Sequence, residues 1–367
     1  MKIAVLTSGG VDSSVVLRLL KDEGHDLTAF YLKIWLEEDM AALGDCPWED
    51  DLQFIRSICE RHDIPLRVIP LQSEYFKRVI SVAIEELKKG RTPSPDILCN
   101  ERIKFGAFFD KIGDGFEKIA TGHYAVLERI HSDYYLKRAK DPVKDQTYFL
   151  SHLNQKQLAR LIFPLGGLEK KEVRRLARDY DLPNKDRKDS QGICFLGKIK
   201  YNDFVRCYLG EKPGSIVEHG TGQTLGEHKG FWFYTVGQRQ GLGLPGGPWY
   251  VVGKDTADNT VFVSNKSDMP EKQRRKFFVD ELHWIGRPPS RNDLSVKIRH
   301  TEKLNRCRID RNEKSEALVE MDEEDPGIAP GQSAVFYDGD ICLGSGLITD
   351  KAGQSLPLTA EKTKAIL

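Results

Sequence analysis

Residues 2–20 read KIAVLTSGGVDSSVVLRLL, and this run decides the fold. Lys2 to Leu6 is a short apolar run of the kind that forms a strand buried on both faces. Gly9-Gly10 then turns the chain. Val11, Val15, Val16, Leu19 and Leu20 follow at helical spacing as one apolar stripe, and Gly24 ends the helix. The unit recurs downstream. Strands are predicted at Leu27 to Ile34, Leu66 to Pro70 and Lys118 to Ala120, with helices at Asp50 to His62 and Ser73 to Lys89. Strand–helix alternation at this spacing predicts an α/β domain built on a doubly wound parallel sheet.

Helices are also predicted at Gln155 to Arg160 and Lys170 to Tyr180. After about Phe204 the texture changes. Gly and Pro punctuate short β-rich runs at Trp232 to Val236, Trp249 to Val252 and Thr260 to Val263. A basic knot of Lys272, Arg274, Arg275 and Lys276 precedes a last β-rich stretch from Phe277 to Ile348, where short strands bounded by turns predict a small barrel or sandwich. The expected organisation is an α/β domain over 1–203, a mixed module over 204–276, an all-β barrel over 277–350 and a polar tail over 351–367.

A chain of 367 residues and 41.7 kDa accommodates two or three such domains. Its 55 basic and 55 acidic residues leave no net charge, so any nucleic-acid contact must rest on local basic faces. No apolar run reaches the ~18 residues of a membrane span, and Met1 leads directly into Ile3 to Leu6 without a visible targeting segment. A cytoplasmic protein without membrane partners is expected. The seven cysteines are odd in number, scattered, and contain no CxxC pair, which argues against a disulfide scaffold or a zinc ribbon.

Chemistry concentrates at three places. Ser8-Gly9-Gly10-Val11-Asp12-Ser13-Ser14 joins the first strand to its helix, where glycines let backbone approach an anion and the helix N-terminus offers unpaired N–H groups. No Lys follows the glycines, so this is not the GxxxxGK[ST] loop. The plainer alternative is a turn with a capping Ser. Cys99 follows the rigid Pro93-Ser94-Pro95 and precedes Arg102 and Lys104, cations able to favour a thiolate. Cys194 lies in DSQGICF, downstream of Lys185-Asp186-Arg187-Lys188. On composition alone, both cysteines read as buried core residues.

Taken in order, SGGVDSS, GRTPSPDILCNERIKFGAF, ATGHYA, KDPVKDQTYFL, FPLGGLEKKEVRRLA, KDSQGICFLG, YTVGQRQGLG and WYVVGKD resemble the tRNA-specific 2-thiouridylases from Met1 to about Asp350. These are pyrophosphate-loop enzymes with an N-terminal adenine nucleotide alpha hydrolase-like domain. The resemblance implies Cys99 as nucleophile, Cys194 as persulfide carrier, and a catalytic Cys99–Cys194 disulfide. It places ATP against Leu6, Thr7, Ser8, Gly9, Gly10, Val11, Asp12, Ser13, Leu32 and Gly122, with Asp12 positioning a metal or acting at the activated base. Ser94, Pro95 and Asp96 match the segment that reads the target base, with Ser where Asn is usual. His123, Lys144, Asp145, Gln146, Arg299, His300 and Gln332 match tRNA contacts, with His300 where Tyr is common. The segment Leu43 to Leu52 looks like the cyanobacterial and plastid branch, which keeps a plastid stroma open as the compartment.

The implied reaction is ATP-dependent 2-thiolation of the wobble uridine in the anticodon stem-loop of tRNA. ATP with Mg²⁺, no protein-fixed metal, and sulfur from a carrier or cysteine desulfurase are expected, in a monomer. An iron–sulfur cluster on Cys99 and Cys194, with Asp12, is the disfavoured alternative. Two rival functions are a pyrophosphate-loop synthetase acting on a small metabolite, indifferent to tRNA, and a noncatalytic ATP-gated tRNA-binding protein, indifferent to loss of both cysteines.

Overall fold

A computed structural model describes residues 1–34, 48–189, 199–265, 275–312 and 315–349. Lys2–Thr7 is the centre of a parallel sheet, ordered Leu66–Pro70, Asp26–Lys33, Lys2–Thr7, Lys118–Ala120, Leu161–Ile162. Alternate residues of the central strand face opposite layers. Ile3 and Val5 pack with Val15, Val16 and Leu20 of the helix Val11–Asp22, whereas Ala4 and Leu6 face Phe30, Phe105 and Phe108. Phe30 meets Phe108 and Phe116 edge-on at 5.1 and 5.3 Å. Both faces are therefore buried, as the uninterrupted apolar run predicted.

A second, mixed sheet orders Trp249–Asp255, Thr260–Asn265, Gly214–Glu218, Thr224–His228. The third sheet is a closed antiparallel barrel. Lys276–Trp284, Ala317–Met321, Asn305–Arg311, Asp293–Lys297, Ser333–Asp338 and Ile341–Thr349 pair in that order, and the last returns to the first. Closure leaves no open edge around the ring.

Three local expectations need correction. Trp232 to Val236 is not a strand: Phe231–Phe233 forms a 3₁₀ turn after Gly230 at φ 143°, and Phe231 is buried in the small core of the middle sheet. The helix expected over Ser73 to Lys89 is interrupted by a π-helical turn at Phe76–Ile80. A hairpin absent from the sequence reading, Val126–Ile130 with Asp133–Lys137, leaves the N-terminal region and extends the barrel sheet, pairing Leu136 with Cys342 and Lys137 with Ile341. Of the basic knot, Lys272 and Arg274 lie outside the described residues, while Lys276 pairs with Glu320 at 3.1 Å. Residues 43–47 of the segment used for the branch reading also lie outside them.

Beside the hairpin, the N-terminal region and the barrel are joined by a wholly buried ion pair. Lys297 Nζ, on a barrel strand, donates to Asp145 Oδ2 at 2.9 Å, and neither side chain reaches solvent. Arg138 Nε at 3.4 Å, Ala139 N–H at 3.3 Å, Thr147 N–H at 3.4 Å and Thr147 Oγ1 at 2.9 Å also donate to the carboxylate. Removing one member of such a pair strands the other charge, at a cost of about 3–5 kcal/mol. Asp145→Ala should therefore lower the unfolding free energy by that order, seen as a lower urea midpoint. Asp145→Leu combined with Lys297→Met should recover most of the loss, because apolar side chains of similar volume need no counter-charge. Equal midpoints for Asp145→Ala and the parent would remove this pair from the interface.

Candidate active site at the switch point of the parallel sheet

The central strand has Asp26–Lys33 on one side and Lys118–Ala120 on the other, so its two flanking connections leave in opposite directions. In open α/β sheets the crevice outside such a point is where ligands bind. The Ser8–Ser14 loop stands at its mouth. Gly9 has φ +71°, and a Cβ there would lie 2.7 Å from Asp51 Cα, so only glycine fits. Gly10 is different. Its backbone is extended, and a Cβ would meet only Ser8 Oγ, at 3.4 Å.

The loop's hydroxyls are largely used within it. Ser13 Oγ donates to Gly10 O at 3.1 Å and accepts from Ser8 N–H at 3.2 Å, and Ser14 Oγ donates to Gly10 O at 3.0 Å. Thr7 Oγ1 donates to Phe30 O at 3.1 Å. None of them caps the helix, whose N-cap is Gly10, and their engagement leaves backbone N–H groups as the loop's anion-binding feature. Leu6 is buried and Leu32 packs partly buried against the same core. Gly122 backs onto the helix start: a Cβ there would lie 3.1 Å from Ser13 N.

Asp12 is held by Lys170 Nζ at 2.7 and 2.9 Å and by Tyr124 Oη–H at 3.0 Å. Lys170 also reaches Asp189 at 2.8 Å, which binds Lys144 at 2.7 Å and Arg174 at 2.5 Å. Burial pushes the Asp189 carboxyl up, but Lys144 and Lys170 outweigh it and hold it at about 2. With its charge matched by Lys170, Asp12 is not an unencumbered base or metal ligand. Among the described residues, no group of three His, Cys, Asp or Glu is arranged to hold a metal.

Cys99 ends the helix Pro95–Cys99 with its side chain only 3 % exposed. The segment leading to it is fixed by both other modules. Thr92 N–H donates to Pro330 O at 2.7 Å, Thr92 Oγ1 to Thr235 Oγ1 at 3.3 Å, and Gly331, at φ +89°, has no room for a Cβ against Arg91 and Thr92. Ser94 hydrogen-bonds Tyr148, whose hydroxyl donates to Ser333 O at 3.1 Å. Pro95 and Asp96 form the first turn of the helix. Arg102 contacts Glu101 at 3.4 Å and donates to Arg78 O at 3.3 Å. At Cys59, Cys307 and Cys342 burial disfavours the thiolate, pushing the first two thiols up to about 11 and about 12 and Cys342 higher still. Cys194 lies outside the described residues.

The residues expected to touch tRNA divide. Lys144, Asp145 and Gln146 form a structural tie, not a solvated turn. Lys144 binds Asp189, Asp145 is buried on Lys297, and Gln146 pairs with the Tyr124 backbone through its N–H at 2.9 Å and its Oε1 at 3.0 Å. The buried carboxylate of Asp145 corrects its reading as an RNA contact. His300 donates to Asp145 O at 2.9 Å and lies over Phe149 with ring centroids 4.5 Å apart. Arg299 forks onto Asp325 at 2.7 and 2.8 Å but remains 42 % exposed. His123 stands between Phe105 and Phe163 and shares a hydrogen bond with Thr121 Oγ1 at 2.8 Å; burial first, then Lys104, holds it well below its ordinary pKa and so neutral. Gln332 is partly buried, its backbone in the Ile348 pairing. Lys170, Asn184, Arg187 and Asp189 were given no role by the sequence reading. Their partners are far away in the chain (158 positions for Lys170 and Asp12), so no local pattern marks them.

Three family models match the chain in succession: "tRNA methyl transferase HUP domain" over residues 1–198, "tRNA methyl transferase PRC-barrel domain" over 202–265 and "Aminomethyltransferase beta-barrel domain" over 274–348. Among curated relatives, the tRNA-specific 2-thiouridylase MnmA of Parabacteroides distasonis is 49% identical over 360 residues, covering 96% of this chain and 99% of that protein. MnmA 1 of Bacteroides thetaiotaomicron is 46% identical over 356 residues, covering 95% and 100%. A solved structure titled U34-tRNA thiolase NcsA from Methanococcus maripaludis with its [4Fe-4S] cluster aligns with 53% of this chain and 62% of that one, at 16% identity and a TM-score of 0.32, too distant to inform the site.

Two outcomes follow from this geometry. Gly9→Ala should cost more than about 1 kcal/mol in thermal unfolding, whereas Gly10→Ala should unfold like the parent. Asp189 has a depressed pKa, so its stabilisation is complete above the ordinary carboxyl value near 3.8 and is lost as pH falls toward about 2. Lys170→Met should shift the acid-unfolding midpoint upward in pH, measured by circular dichroism. An unmoved midpoint would separate Lys170 from the Asp189 charge.

Proposed function

This chain belongs to the tRNA-specific 2-thiouridylase family, and from that premise we propose that it replaces the C2 oxygen of the wobble uridine in tRNA with sulfur, at the expense of ATP. The observation that carries the reading is near full-length kinship, together with a nucleotide-type loop at the sheet's switch point and Cys99 at a junction of all three modules.

The chemistry follows from the substrate. A carbonyl oxygen is a poor leaving group, so the C2 oxygen attacks the α-phosphorus of ATP and pyrophosphate departs. Gly9 and Gly10 let the loop's N–H groups approach the phosphates, and Mg²⁺ enters with the nucleotide without a protein cage. The terminal sulfur of a Cys194 persulfide adds to C2 and AMP leaves with the original oxygen. The base is then bonded to Cys194 through a disulfide. Cys99 thiolate attacks the Cys194 sulfur, the thiocarbonyl is released, and a Cys99–Cys194 disulfide remains for a two-electron reductant. A sulfur carrier or cysteine desulfurase reloads Cys194. The working unit is a monomer in a bacterial-type cytoplasm, divided at 203/204 and 276/277. The anticodon stem-loop reaches both cysteines with the target base unstacked, and Ser94, Pro95, Asp96, His123, Lys144, Gln146, Arg299, His300 and Gln332 are the candidate contacts.

Cys194→Ala should abolish thiolation while ATP-dependent adenylation of tRNA persists, followed with α-labelled ATP. Cys99→Ala should stop the cycle after sulfur has bonded to C2, trapping tRNA on the protein through a reducible linkage. Sulfur incorporation at the parental rate in either variant would overturn the assignment.

A further inference from the structure

The loop at the switch point is fastened from a direction its own sequence does not reveal. Asn184 is 2 % exposed, and its Nδ2 donates to Gly9 O at 2.8 Å and to Ser14 Oγ at 2.9 Å. Arg187 Nη1 donates to the same Gly9 carbonyl at 3.1 Å, while its Nη2 pairs with Asp51 at 2.6 Å. Two donors from one short segment thus converge on one carbonyl, about 175 positions back in the chain. Asp51 lies under the place where a Gly9 side chain would stand, so the loop is confined on that side as well.

We propose that Asn184 and Arg187 are positioning residues for ATP: they fix the plane of the Gly9–Gly10 peptide and so aim the Gly10 N–H at the phosphates. The geometry is that of any trans peptide, in which the carbonyl and the following N–H point in opposite directions. Holding Gly9 O against Asn184 and Arg187 turns Gly10 N–H away from them. Glycine pairs are otherwise the most freely rotating peptides in a chain, and an unrestrained one would lose that freedom each time nucleotide bound. A second consequence concerns coupling. The same stretch continues to Asp189, which is joined to Asp12 through Lys170. Residues 184–189 therefore hold the loop directly at Gly9 and Ser14 and, through Lys170, at Asp12, so a displacement of the loop is felt in this segment. The proposal deepens the ATP reading of the loop and rests on it.

The test compares Asn184→Asp, Asn184→Ala and Arg187→Met with the full-length parent in steady-state thiolation, varying ATP and tRNA separately. Asn184→Asp keeps the shape but sets an acceptor against the Gly9 carbonyl. We expect its KM for ATP to rise at least tenfold, equivalent to about 1.4 kcal/mol of binding, with KM for tRNA within twofold and kcat within threefold. Asn184→Ala and Arg187→Met should rise in the same direction by smaller factors. Loss of a residue that only braced the fold would lower kcat or raise both KM values together, which overturns the proposal. So does a KM for ATP within twofold of the parent in all three variants. Should Asn184→Asp fail to fold, the other two carry the comparison. Failure of the underlying reading looks different: the parent itself would then release no pyrophosphate from ATP in the presence of tRNA.

Discussion

An ammonium and a carboxylate with no access to water hold this molecule in one piece. The Lys297–Asp145 pair would be costly on its own, because burying each charge loses several kcal/mol of hydration. It is tolerable because Arg138, Thr147 and the Ala139 N–H also face the carboxylate. The arrangement fixes where the barrel sits. A pair of this kind has little tolerance for sliding, whereas apolar surfaces accept many registers. The hairpin Val126–Ile130 and Asp133–Lys137, by pairing with Ile341–Thr349, sets the same relation through the backbone.

From that joint the rest of the site follows. The tripeptide Lys144-Asp145-Gln146 sends one side chain toward Asp189, one into the barrel and one to the Tyr124 backbone. Tyr124 in turn donates to Asp12 in the loop. Barrel position, loop geometry and the root of the segment carrying Asp189 are thus linked by three adjacent residues. Across the molecule, Thr92 performs a similar office for Cys99, bonding to the barrel through Pro330 and to the middle sheet through Thr235.

The parallel sheet was legible because its signal is local: a strand buried on both faces must be apolar throughout, and the helix after it must show a stripe. The closed barrel was legible for a related reason, short runs between turns. The hairpin at 126–137 was not, because Glu128, Arg129, Asp133 and Lys137 make it look like a charged loop. Its partners lie some two hundred positions away. The loop's chemistry was readable from SGGVDSS, but the division of labour between Gly9 and Gly10 depends on Asp51. The burial of Asp145 on Lys297 was not legible, for a simple reason. A charged or aromatic polar residue in a loop-like stretch looks the same in sequence whether it faces RNA or fills an interface.

The helix around Cys99 departs from regular geometry where chemistry is expected. Pro95–Cys99 is α-helical, but Asn100–Ala107 widens to a π-helix, as does Phe76–Ile80 packed against it. Wide turns break the usual pairing of N–H and C=O, and Arg78 and Arg102 each donate to the other's carbonyl, at 3.4 and 3.3 Å. Asn100 is buried with its Nδ2 on Phe149 O at 3.0 Å and its Oδ1 without a partner. An unpaired buried acceptor and an underwound, π-helical turn both cost stability. Both begin at the residue after Cys99. A regular helix through this region would turn successive side chains by a fixed angle and satisfy every amide. The irregular one presents Cys99 from the last regular turn, held by Thr92 and Ser94 on one side and by a less stable segment on the other. Irregular geometry beside the proposed nucleophile leaves room for small local adjustments of the thiol, while the sheet and the barrel that frame it stay in place.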